Sequence, residues 1–182
     1  MHIHGELRNT LDVIAEPRER LPARRAVTAG WVAALAAGGF LPLHLVWAAG
    51  IPLFADPERF ARWYANGGAA YLWVLNGLAV LPVILAFALI QPRGLVFPGW
   101  VPGVAGRRVP RLLLIVAGYA LVAALSGYTL FAFVLTFVQL GAPEEIFNPW
   151  TGVYEFVQFT VWIVALTVAV HSYDIRTRCD SR

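Results

Sequence analysis

Glu155 is the one charged side chain in the apolar run from about Trp150 to Ser172. An ionisable group inside a membrane span costs roughly 2.5 kcal/mol or more unless it is paired or reaches water. Its side chain should therefore point inward, where a carboxyl group can give a proton to a bound molecule or take one from it. His44, near the end of an earlier apolar run, is the natural partner, and the two form the candidate catalytic pair. Gln158 and Trp162 follow Glu155 at i+3 and i+7, on one helical face, and Trp47 follows His44 at i+3. Asn76 and Tyr128 could orient a ligand, with Trp47, Trp73, Tyr154 and Trp162 as aromatic walls.

Each of these residues has a plainer reading. Glu155 and His44 can hydrogen-bond across a bundle without doing chemistry. Asn76 can serve as polar glue between helices. Tyr128 and the tryptophans can be belt and packing residues.

The elements that must hold these residues follow from composition. The chain has 182 residues, 59% hydrophobic and 14% charged, against about 45–50% and about 25% in a soluble domain. A water-soluble domain and a disordered chain are both excluded. Four stretches reach the roughly 20 apolar residues needed to cross a bilayer: about 26–49, 69–90, 112–138 and 150–172. The expected fold is an all-α, four-helix membrane bundle over residues 26–173, with an N-terminal arm (1–25) and a short tail (174–182).

All 14 basic residues are arginine. Twelve of them lie in the arm, the 91–111 connector or the tail, so both termini are expected in the cytoplasm of a bacterial inner (cell) membrane. Arginines at segment ends make no basic face, so no nucleic-acid partner is expected. The arm is too polar and too long to be the start of a signal peptide. In this orientation His44, Asn76, Ser126, Tyr128, Thr129 and Glu155 share one level, the outer half of the bilayer, and would form a shallow polar pocket there.

Other chemistries are excluded on counts. Cys179 is the only cysteine, which rules out an intrachain disulfide, a C-x-x-C redox pair and a cysteine zinc site. His44 and His171 lie at opposite depths, so two-histidine haem ligation is not expected. No metal and no other cofactor is expected.

In the first outer connection Asp56 and Pro57 predict a short interfacial helix, with Phe60, Trp63 and Tyr64 dipping into the interface. Glu144 and Glu145 make the second outer connection acidic. Pro42 and Pro82 are expected to kink their spans. Gly30/Ala34/Gly38, Ala29/Ala33/Ala37, Ala120/Ala124 and Ala123/Gly127 are spaced for close helix approach.

Three stretches carry a resemblance. HLVWAAGIPLF (44–54), with its W-A-x-G-x-P pattern, is similar to the first-span ending of small four-span actinobacterial membrane proteins. GRRVPR (106–111) resembles the G-R-R-x-P-R that precedes their third span, and VHSYDIRTR resembles their closing stretch, departing from it at Asp174. The resemblance implies the four-span layout and a bacterial source, and no activity. The expected partners are the lipid bilayer, a lipophilic small molecule and partner membrane helices. The preferred function is accessory or lipophilic-ligand binding. The alternative is a membrane-embedded cyclase or isomerase of an isoprenoid-like (terpenoid) substrate, with Glu155 as general acid and aromatic faces stabilising a carbocation.

Overall fold

A computed structural model describes residues 22–91, 96–97, 99, 102–139 and 146–178. The helices are α1 (Arg24–Ala48), α2 (Pro57–Trp63), α3 (Ala69–Leu78), α4 (Val80–Ile90), α5 (Arg111–Gln139) and α6 (Pro149–Arg178). A wide turn, Tyr64–Gly68, joins α2 to α3. Among the described residues there are two isolated β-bridges and no strand. Four helical stretches are long and apolar enough to cross a membrane: Arg24–Ala48, Pro57–Ile90, Arg111–Val138 and Pro149–Arg178. The four expected spans all fall on them.

Local chemistry explains the boundaries. α1 stops where Gly50 takes a left-handed φ of 82° and its N–H returns to the Trp47 carbonyl. Asp56 caps α2 by accepting from the Arg59 N–H at 2.9 Å, with Pro57 in the first turn. Gly67, at φ 107°, makes the corner into α3. Gly68 lies against the Trp63 ring so closely that a Cβ would come within 2.7 Å of it. The second span breaks at Ala79, between α3 and α4. Pro82 is the cause, since it has no N–H to offer the Leu78 carbonyl. Pro42, in contrast, sits inside an unbroken α1.

α1 and α6 form the central pair. α4 packs on α1 and also touches α6, α5 packs on α6, and α4 and α5 barely touch. The α1 seam uses Gly30, Ala33, Ala34 and Ala37, all buried, and a Cβ at Gly30 would collide with Ile90. Such small residues are what let backbones approach in lipid. Gly38 is not part of that seam; nothing stands within 4 Å of its absent side chain. On α5 the expected small pairs, Ala120/Ala124 and Ala123/Gly127, face outward. The close approach to α6 is made instead by Gly118, where a Cβ would collide with Val170.

One end of the bundle is tied by arginines. Asp174 is buried and accepts from Arg111 at 2.9 Å and from Arg178 at 3.0 and 2.6 Å. Arg176 donates to the Leu89 and Gln91 carbonyls at the end of α4. α6 therefore continues helical through Arg178, where a short tail from residue 174 was expected. Arg176 and Arg178 stabilise its last turn through the helix dipole. The arm up to residue 21, Glu144, Glu145 and Cys179 lie outside the described residues.

Candidate functional site

The opposite end of the bundle is capped by its two loops. The Asp56 N–H donates to the Ile146 carbonyl and the Asn148 N–H to the Phe54 carbonyl, both at 2.8 Å, around a bridge between Ala55 and Phe147. Phe54 is held there at φ 57°, a left-handed conformation rare for a bulky residue. Beneath the bridge Trp47, Phe60 and Leu72 are buried, with Trp63, Tyr64 and Phe147 packed against them. Trp47 Nε1 donates to the Leu53 carbonyl and the Tyr64 hydroxyl to the Ala48 carbonyl, each at 2.8 Å. The aromatic side chains expected to dip into the interface thus pack together as a lid on the bundle.

Under this lid lies a cavity of about 370 Å³. Its wall includes His44 and Trp47 from α1, Tyr71 from α3, Tyr128 and Thr136 from α5, and Glu155 from α6. The His44 ring is buried and stacks on Phe40 at 3.5 Å between centroids. Its Nδ1 lies 2.9 Å from the Phe40 carbonyl. In the tautomer assigned from that contact, Nδ1–H donates to the carbonyl and Nε2 is left as an acceptor. Nε2 stands 3.9 Å from Glu155 Oε1. That is too long for a hydrogen bond, and close enough that one bound hydroxyl or amine can reach both atoms. The pair can therefore hold a donor group or exchange a proton with it.

The other candidate residues are distributed around the bundle. Gln158 does not face the cavity; its Nε2 donates to the Ala36 carbonyl of α1 at 2.8 Å. The Tyr154 hydroxyl donates to the Gly39 carbonyl at 3.3 Å, and the rest of that side chain is exposed. Trp73 faces away from the bundle. Asn76 is buried, and its Nδ2 donates to the Leu72 carbonyl of its own helix. Trp162 is buried in the wall of a second cavity. Ser126 is exposed, and Thr129 is buried; both donate to their own helix. Among the described residues no three metal-ligating side chains gather.

No family model, curated protein or solved structure matches this chain.

Trp63, Tyr71, Thr136 and Phe147 also line the cavity and were not among the expected site residues. The signal in the sequence that the loop folds back as a lid is its run of bulky apolar and aromatic residues, Leu53, Phe54, Phe60, Trp63 and Tyr64, in a connection between two spans.

Proposed function

We propose that this is a bacterial inner-membrane protein, with both termini cytoplasmic, that binds a lipophilic small molecule at the capped end. The polar head of that molecule lies between Glu155 and His44. The reading is carried by one observation: the only carboxylate within the apolar runs 26–49, 69–90, 112–138 and 150–172 lines a cavity, with an imidazole acceptor 3.9 Å away. A carboxylate used for packing alone would be satisfied by a neighbouring helix, as Gln158 is on the same helix. The arginine distribution supports the orientation, because the connections at the arginine-tied end hold nearly all the arginines.

Hexadecanol, with one donor hydroxyl on a long chain, is a suitable probe. Saturable binding by the purified protein should weaken about tenfold in Glu155→Gln, the scale of one charge-assisted hydrogen bond. It should weaken comparably in His44→Ala. Equal binding by wild type and both variants, at unchanged folding, refutes the reading. The second reading, an isoprenoid cyclase with Glu155 as general acid, is favoured by Trp47, Trp63, Tyr71 and Tyr128 in the same wall. It requires product formation that Glu155→Gln abolishes.

A further inference from the structure

α4 and α5 touch little, and between them lies a second cavity of about 480 Å³. That volume falls in the range of ordinary small-molecule sites. Its wall is almost entirely hydrocarbon, from Leu75, Leu81, Leu85, Leu121 and Leu125 among others. Two observations make it more than a gap between helices. First, Tyr71 and Tyr128 line this cavity and the polar one alike, so the two adjoin at these rings. Second, Trp162 forms part of the wall at 3% exposure, and its Nε1–H has no hydrogen-bond partner among the described residues. A buried donor left unpaired costs about 1–3 kcal/mol. Elsewhere in the bundle buried indole is not left so; Trp47 Nε1 has the Leu53 carbonyl.

We infer that the two cavities form one bipartite site for a single-chain amphiphile. Its donor head lies at Glu155 and His44, its chain passes Tyr71 and Tyr128 into the crevice, and an oxygen on the chain accepts from Trp162 Nε1–H. Trp162 stands seven residues after Glu155 on α6, or about 10 Å along the helix at 1.5 Å per residue. The ligand class is therefore a long-chain alcohol or amine with a carbonyl or ether oxygen about that far from its head. The hydrocarbon wall suits the chain, and the buried, unpaired indole N–H of Trp162 fixes its register. This inference rests on the head-group reading given above and adds the chain, its path and its oxygen.

The test uses the full chain in detergent with three probes: hexadecanol, hexadecanol bearing a mid-chain ketone, and octanol. Wild type should bind the keto-alcohol saturably and more tightly than hexadecanol. The ketone stretch should fall to the frequency of a hydrogen-bonded carbonyl. Trp162→Phe, which keeps a ring against Phe159, should erase the advantage of the ketone, up to about tenfold, and return the stretch to its free value. Leu121→Trp, which fills the crevice, should make hexadecanol bind no better than octanol. If hexadecanol and octanol bind wild type equally, and Leu121→Trp changes nothing, the chain path is wrong while the head reading survives. If Glu155→Gln binds every probe as wild type does, the head reading fails first. If plain hexadecane competes as well as the keto-alcohol, the crevice holds bulk lipid and the inference is overturned. A change from dimer to monomer in Leu121→Trp, with probe affinity unchanged, would assign the crevice to a second copy and also overturn it. Thermal melting of each variant shows whether it is folded, and Leu121→Trp tests the crevice even if Trp162→Phe does not fold.

Discussion

Arg111, the first residue of α5, donates to the buried carboxylate of Asp174 near the end of α6, at 2.9 Å and across 63 residues of chain. Arg178 holds the same carboxylate from one turn further along α6. Asp174→Ala leaves Arg111 half-buried without its anion and should cost about 1–3 kcal/mol. Arg178 is 70% exposed at its side chain, so Arg178→Ala should cost less than Asp174→Ala. Melting temperatures of the two variants in detergent check the order; a larger loss in Arg178→Ala would contradict it.

Glu155→Leu should separate stability from binding. A half-buried carboxylate with no hydrogen-bond partner among the described residues costs folding free energy, so an apolar replacement is expected to leave the melting temperature unchanged or raise it. The same change should abolish hexadecanol binding. A lower melting temperature with intact binding would make Glu155 a structural residue.

Gln158 is expected to behave in the opposite way. Its bond to the Ala36 carbonyl joins α6 to α1, and such interhelical bonds contribute about 0.6 kcal/mol in membrane bundles. Gln158→Ala should lower stability by that order and leave probe affinity unchanged. Titration with hexadecanol beside a melting curve reads both.

Gly118→Leu should destabilise more than Gly127→Leu. A side chain at Gly118 collides with Val170, whereas nothing stands within 4 Å of a Cβ at Gly127. Overpacking a close seam costs about 1–3 kcal/mol. Equal effects at the two sites would show that α5 does not pack on α6 through Gly118.

The orientation can be read through Cys179, which lies outside the described residues. An impermeant maleimide should label it only after the cells are opened. Labelling in intact cells would reverse the topology and place the Glu155 cavity on the cytoplasmic side.

How far the sequence reaches can be seen in particular residues. The four long helices, the Asp56 cap and the break near Pro82 depend on local chemistry: apolar run length, a side chain three residues from its N–H, a missing donor. All of these are visible without a fold. The level shared by His44, Tyr128 and Glu155 follows from helical rise, and the three line one cavity. What the sequence did not show is which face of each helix meets which neighbour. In lipid, the side facing the bilayer and the side facing another helix are both apolar, so hydropathy carries no phase. That is why Ala120 and Ala124 gave the spacing of a seam while Gly118 makes it. It is also why Gln158, Tyr154 and Trp73, level with the cavity, do not line it. Asp174 sits in the stretch expected as a polar tail, and only the approach of Arg111 makes it a buried anchor. The sequence alone determined four apolar runs and the single carboxylate within them. The tertiary structure decided that this carboxylate faces His44, and that a cavity is left between α4 and α5, because contacts between distant helices depend on packing that no local pattern encodes.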